Sequence, residues 1–278
     1  VAQQSFNIHS FRVPSAINRE LRKQSMNILQ LLLLVVICTQ VSFAQRSNRR
    51  ERVPSYFGLQ VRPVFPTRFI GEPTLDLVQD NFSTQINQKI GFSFGGTVRA
   101  GLTKLLALET GINYTQRQFE VNMSVPDSGV SASNDLTFIT YDIPINGLVY
   151  IQLSERFYMN ASLGILLAFK PSNVGILTTP GGKHTFTHTG KINGRTGFDL
   201  NANIGFEYRT EKSGFFYIGG SGRVPFKPLF EMIAQYKYDG ITNTQYGEVD
   251  GSFLSIDFKY FFPNINNKGP QFQLGPIE

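Results

Sequence analysis

From Ser55 onward, apolar and polar residues alternate with a period of two rather than 3.6. Residues 198–209 show this most clearly. Phe198, Leu200, Ala202, Ile204, Phe206 and Tyr208 fall on one side of an extended chain, and Asp199, Asn201, Asn203, Gly205, Glu207 and Arg209 fall on the other. Seven further stretches repeat the pattern. Residues 56–64 set Phe57, Leu59 and Val61 against Gly58, Gln60 and Arg62, and 91–100 set Phe92, Phe94 and Val98 against Ser93, Thr97 and Arg99. Residues 106–118 oppose Leu106, Leu108, Ile112 and Tyr114 to Glu109, Gly111 and Asn113; 138–151 oppose Ile139, Tyr141, Ile143, Ile145, Val149 and Ile151 to Asp142, Pro144 and Asn146. Residues 157–169, the Gly-rich 215–226 and 253–262 complete the set. The chain is thus predicted to be all-β with eight strands, each about as long as the 9–11 residues that a tilted membrane strand needs.

The links between these strands alternate in length. Those near 66–89, 122–135, 171–195 and 227–249 are long, whereas those around Thr103, Ser154-Glu155 and 210–213 are tight. Short turns at one end and long loops at the other are the mark of an up-and-down barrel in an outer membrane. An even strand count sets both termini on the short-turn side. A soluble barrel would also alternate, but with an outer face crowded by Lys and Glu. Here the polar face is mostly Gly, Ser and Asn with sparse charge, so the apolar face is expected to meet lipid. Tyr56, Phe57, Phe157, Tyr158, Phe215, Phe216, Tyr260, Phe261 and Phe262 sit near strand ends and suggest an interfacial aromatic girdle.

Composition agrees with this. Charged residues are 17% of the 278, against roughly 25% in soluble domains. Residues 28–37 (ILQLLLLVVI) are too short to span a bilayer and have the length of a signal-peptide core. Ser42-Phe43-Ala44 then offers a cleavage site before Gln45. Bulky Ile37 before Cys38 argues against a lipoprotein anchor, and cleavage removes Cys38, the chain's one cysteine. Met26 looks like a natural start, whereas Val1 supplies the basic Arg22 and Lys23; either way residues 1–25 stand outside the fold. The expected organisation is a leader and signal peptide over 1–44, a periplasmic segment over 45–54, the barrel over 55–262 and a polar tail over 263–278. Formal charge falls from +6 to about +3 when Arg12, Arg19, Glu20, Arg22 and Lys23 leave with the leader, which gives no footprint for nucleic acid.

Three segments resemble a known family. LALETGINY (106–114) is similar to a Leu-Glu-x-Gly-x-x-Tyr strand of PorT-like outer-membrane β-barrels of Bacteroidota. ITYDIPINGLVYI (139–151) resembles that family's Tyr-Leu-Glu-Ile-Pro-Leu strand, with Asp142 in place of Glu. Residues 157–167 and 198–208 resemble its Gly-bearing hairpin strands. The resemblance implies a small barrel, in some members tied to gliding or protein secretion. It carries no shared catalytic residues.

Candidate chemistry is sparse. His184 and His188 (HTFTH) share a face if extended, but no Asp, Glu or Cys adjoins them, whereas metal sites take three or four ligands. They read as solvated loop residues. Ser162 and Ser221 have no strand-borne His partner, and Gly181-Gly182-Lys183 lacks phosphate-loop spacing. Neither a catalytic set, a metal site nor a cofactor is expected. Arg62, Arg99, Glu109, Asp142, Asp199, Glu207, Arg223, Asp257 and Lys259 all belong to the polar face. Eight strands leave an interior that side chains can fill, so a salt-bridge network is expected over an ion path. Pro144 removes a ladder donor and suggests a bulge. The expected function is structural or interactive, with outer-membrane lipid, the barrel-assembly machinery and periplasmic or secretion-system proteins as partners. A lipid-modifying enzyme and a narrow channel are the alternatives. N-terminal sequencing of the protein from outer-membrane fractions should begin at Gln45; a chain retaining residues 26–44 would overturn the export reading.

Overall fold

A computed structural model of the chain describes residues 55–263, apart from 104, 211 and 212. The leader, the 45–54 segment and the tail beyond 263 lie outside the described residues. Thirteen strands are described. β1 (Ser55–Pro66), β3 (Phe82–Gly101), β4 (Leu106–Val125), β5 (Val130–Gln152), β6 (Phe157–Phe169), β9 (Thr196–Arg209), β10 (Phe215–Pro225) and β13 (Phe253–Phe261) contain the eight predicted segments. All their pairings are antiparallel, and β1 pairs with both β13 and β3. The order β1-β13-β10-β9-β6-β5-β4-β3 therefore returns to β1, and these eight strands form a closed ring.

The long links are not loops. β2 (Thr74–Gln79) pairs with the start of β3 as an extra strand of the ring sheet. β7 (Val174–Thr178), β8 (Thr185–Lys191), β11 (Phe230–Tyr238) and β12 (Ile241–Val249) form a second sheet in the order β12-β11-β8-β7. The link expected over 122–135 is a hairpin of two very long strands. β4 and β5 stay paired up to Val125 and Val130, and Pro126–Gly129 makes the turn. Gly129 closes it with φ +62°, a conformation that a side chain would strain.

One physical change along β4 explains the extra structure. Its outward positions run Leu106, Leu108, Thr110, Ile112 and Tyr114, then Gln116, Gln118, Glu120, Asn122 and Ser124. Its inward positions run Glu109, Gly111, Asn113, Thr115 and Arg117, then Phe119, Val121, Met123 and Val125. Polarity inverts between Thr115 and Phe119. β5 inverts at the matching level, where Phe138 and Thr140 face Arg117 and Thr115 across the ladder. Below this level the ring is greasy outside and polar inside; above it the strands behave like those of a water-soluble sheet. β4 alone is 20 residues long, about 68 Å at 3.4 Å per residue. That far exceeds the apolar band of about 25 Å on a membrane barrel.

β3 reaches the same inversion through a bulge. Inward side chains fall on Phe82, Thr84, Ile86 and Gln88, then on Gly91, Ser93, Thr97 and Arg99. The register against β4 shifts between Lys89 and Phe92, which moves the inward set from even to odd positions. Lys89 stands outward at this level and pairs with Glu120 at 3.2 Å and Asp135 at 2.8 Å. Pro144 does not mark a bulge: β5 keeps one register with β6 throughout, and Thr110↔Ile145 and Asn113↔Asp142 lie on one unshifted register with β4.

Above the inversion, the second sheet packs over the inward face of β3, β4 and β5. Phe82, Ile86, Phe119, Val121, Leu136 and Phe138 meet Phe186, Leu229, Phe230, Met232 and Val249 in a continuous apolar core. The rings of Phe138 and Phe230 stack at 4.0 Å, with Phe119 edge-on to both.

The two faces of β9 set up a direct test. Ile204 is 57% exposed on the outer side, while Asn203 is 9% exposed and donates to Asp257 at 2.8 Å. By parity alone Asn203 tolerates charge better than its neighbour, provided the interior has room. It has little, since the Asn203 amide oxygen also accepts a bond from Tyr217. Ile204→Arg should hinder membrane assembly, at a cost of about 2–4 kcal/mol near mid-depth. Asn203→Arg should also lose the heat-shifted folded band on gels, through overpacking. A normal folded band for Ile204→Arg would refute the face assignment.

Candidate functional site

The candidate site is the interior of the ring, built in layers by the inward residues of successive strands. At the end that carries the tight turns, Tyr56 of β1, Phe215 of β10 and Phe261 of β13 form one buried cluster, and Ala107, Leu148 and Tyr150 of β4 and β5 another. Tyr56 meets Phe215 edge-on at 4.9 Å, and Phe215 stacks on Phe261 at 4.4 Å. The expected girdle is therefore divided. Phe57, Phe157, Phe216 and Phe262 point outward, whereas Tyr56, Tyr158, Phe215 and Phe261 are buried within. The reason is parity: Tyr56 shares the inward set with Gly58 and Gln60.

Directly above lies the first charged layer. Arg99 donates to Glu109 at 2.6 Å and to Glu207 at 2.5 Å. Lys259 reaches the other oxygen of Glu109 at 2.5 Å, and Arg209 reaches Glu207 at 2.6 Å. The guanidinium of Arg99 lies over the Phe261 ring at 4.2 Å, and that of Arg209 over Tyr158 at 4.0 Å. Cations on aromatic faces join the charged layer to the aromatic floor.

Amides and hydroxyls fill the middle. Gln60 meets Asn113, and Asn201 donates to Asn146 at 3.3 Å. Asp257 accepts from Asn203, from Ser221 at 2.9 Å and from Ser255 at 2.9 Å. Arg62 donates to Ser93 at 3.2 Å. The Tyr217 hydroxyl lies across Gly205 and Gly219, where a Cβ on either glycine would collide with it. These two positions must stay bare for the tyrosine to fill the interior.

The second charged layer lies above. Arg223 donates to Asp142 at 2.5 Å and 3.1 Å, and also to Asp199. Thr115 donates to Asp142 at 2.6 Å. Arg117 and Lys170 bond carbonyls instead: Arg117 that of Gly251 at 2.7 Å, Lys170 that of Leu229 at 3.0 Å. Both acceptors lie at the base of the second sheet. The structure thus buries all nine residues picked out from the sequence. It brings Arg99, Glu109, Glu207 and Lys259 into one cluster and Asp142, Asp199 and Arg223 into another, and gives Arg62 and Asp257 neutral partners. Arg117, Lys170 and Arg209 were not picked out. Arg117 and Arg209 share parity with Glu109 and Glu207, so the same alternation points to them.

One of the two histidines departs from the expected loop position: His184 lies in the link before β8 and is half-buried, whereas His188 lies within β8. His184 accepts or donates a 2.6 Å bond with the Tyr236 hydroxyl and stacks on Tyr238 at 4.3 Å. His188 is fully buried on β8. No metal-binding group of three or more His, Cys, Asp or Glu occurs among the described residues.

The paired geometry generates a stability test. Removing one partner of a buried ion pair strands the other and costs about 3–5 kcal/mol. Glu207→Ala should therefore destabilise the folded protein on that scale in urea titrations from micelles. Adding Arg99→Ala should cost much less than a second independent loss; full additivity would disconnect the two side chains.

Among proteins of known structure, the chain is similar to the outer membrane protein OprG of Pseudomonas aeruginosa, at 11% identity and a TM-score of 0.45 over 77% of this chain and 98% of that one. It is also similar to the β domain of the Bordetella autotransporter BrkA, at 10% identity and a TM-score of 0.26 over 74% and 98%. No curated protein matches. Residues 43–244 match the model of the outer membrane protein beta-barrel domain. With its antiparallel ring, apolar outer wall and buried charged interior, the chain belongs to that outer-membrane β-barrel family and is a protein of the outer membrane.

Proposed function

We propose that the chain is an eight-stranded up-and-down transmembrane barrel that neither conducts ions nor catalyses a reaction. It acts instead as a structural or interaction protein of the cell envelope. The observation that carries this reading is an interior filled by paired side chains. The charged and amide layers lie between an aromatic floor and the apolar core under the second sheet. Polar side chains inside are spent on one another: Arg99, Glu109, Glu207 and Lys259 in one layer, Arg223, Asp142 and Asp199 in the next. An ion crossing the ring would have to break these pairs and then pass through Phe119, Phe138 and Phe230.

In this reading the tight turns face the periplasm and the second sheet stands outside the cell. Its outward positions include Leu177, Thr187, Thr189 and Tyr246, and the last is 62% exposed. That mixture of hydroxyl, aromatic and aliphatic groups suits a protein partner better than bulk water alone. The PorT-like resemblance of residues 106–114 and 139–151 supports a place beside secretion or gliding components. Outer-membrane lipid and the barrel-assembly machinery are the obligatory partners.

Planar-bilayer recording tests the seal. The purified protein should give no steady conductance above background across physiological voltages. A large, stable wild-type conductance would favour the channel reading and overturn this one.

A further inference from the structure

The second sheet pairs with no strand of the ring, because the two sheets share no ladder. Apart from the apolar core, few polar contacts join them directly or at the stems. Gln245 donates to the Phe82 carbonyl at 2.7 Å, and Thr178 to Asn134 at 3.2 Å. Lys170 and Arg117 hold the stems at Leu229 and Gly251. The sheet can therefore separate from the ring without breaking a ring ladder. What holds it down is mainly apolar contact, and of the buried polar side chains on those faces one is an imidazole with no hydrogen-bond partner.

That residue is His188. It shares the inward face of β8 with Phe186 and Gly190, and a Cβ on Gly190 would strike the Phe138 and Phe230 rings of the core. Its ladder partners are Ala234 on β11 and Ile176 on β7. The side chain is wholly buried, and neither ring nitrogen has a hydrogen-bond partner. The inward face of β7 offers Val174, Ile176 and Thr178, none of them titratable. On the inward face of β11 the titratable group is Tyr236, bonded to His184 just before β8, while Lys237 and Tyr238 at the end of β11 are exposed. On β3, β4 and β5, at and above the inversion, the charged inward group is Arg117, at the base. The nearby carboxylates Asp76, Glu120 and Asp135 and the Lys191–Glu231 pair fall on outward positions. No carboxylate lies on these inward faces, the row through Ala234 ends on the neutral Gln245, and burial holds this histidine below its usual range.

We propose that β7, β8, β11 and β12 form an acid-released lid over the outer end of the ring, with His188 as its latch. Neutral His188 fits the closed core, and protonated His188 belongs in water. Its proton affinity is lower in the closed state than in the open one. The closing free energy is therefore fully present above the ordinary histidine pKa of about 6.5 and is lost as pH falls below it. Release exposes the apolar inward faces of both sheets while the ring stays paired.

Hydrogen–deuterium exchange on the full chain in micelles tests this, with rates corrected for the intrinsic effect of pH. Amides of β8 and β11 should exchange up to about tenfold faster for each pH unit below about 6.5, while those of β9 and β13 stay protected. His188→Leu should abolish that slope. If it does not assemble, His188→Gln, which cannot charge, should abolish it too. Exchange at the imidazole C2–H of the wild-type protein gives an independent readout, with His184 as internal reference. His188 should take up its proton only as β8 opens. An unchanged acid slope in an uncharged variant, no acceleration in the wild type, or ordinary titration of His188 beneath a protected β8 would each overturn the latch.

Discussion

The structure depends first on β1 finding a partner on each side. Hydrogen bonds from Ser55–Val64 to β3 and from Gly58–Pro66 to β13 leave the ring sheet without a free edge among its eight strands. Lipid offers no donor or acceptor to an unpaired backbone, so closure is the condition for placing Phe57, Leu59 and Val61 in hydrocarbon at all. Closure then dictates the interior. Every second side chain must go inside, and an outward face made of Leu, Ile, Val and Phe sends Arg, Glu, Asp and Asn inward by parity alone.

Those inward charges could be tolerated only in pairs. Glu109 is shared between Arg99 and Lys259, and Glu207 between Arg99 and Arg209, so no carboxylate of that layer depends on a single cation. Asp142 draws on Arg223 and Thr115. Such sharing restricts how the walls can slide past one another. Shifting β4 by one residue would turn Glu109 outward and put Leu108 in its place. The network therefore specifies register as well as filling space.

The eight ring strands were legible because alternation is a local property and the outer wall is consistently apolar. The second sheet was not. In 171–195 and 227–249 the strands are short and half-polar, with outward residues such as Thr185, Thr187 and Thr189 that resemble loop composition. Their inward residues become recognisable only once the opposing face of β4 and β5 is known. The inversion in β4 was hidden for a related reason. Thr115, Gln116, Arg117 and Gln118 are four polar residues in a row, which reads as a strand end, and the apolar face resumes beyond them on the opposite side. The β3 bulge was missed because Ile90 and Phe92 fit the outward set and Lys89 looks like the end of a strand. The paired interior was partly legible: parity picks out its members, but one partner of Glu207, Arg99, lies 108 positions away on a strand that only closure brings near.

The inversion in β3, β4 and β5 also breaks the symmetry of the ring. These three neighbouring strands carry 20, 20 and 23 residues, while β1, β10 and β13 carry 12, 11 and 9. One wall is a tall mast, while β10 and β13 on the far side of the ring are about half as long. A molecule of this shape has a front and a back when viewed down its axis. In a crowded two-dimensional sheet of barrels, neighbours approaching from the low side meet bare apolar wall. Those on the high side meet a polar outrigger bearing Gln118, Glu120, Asn122 and Asp135. Lateral packing of such a protein is directional before any dedicated contact is made.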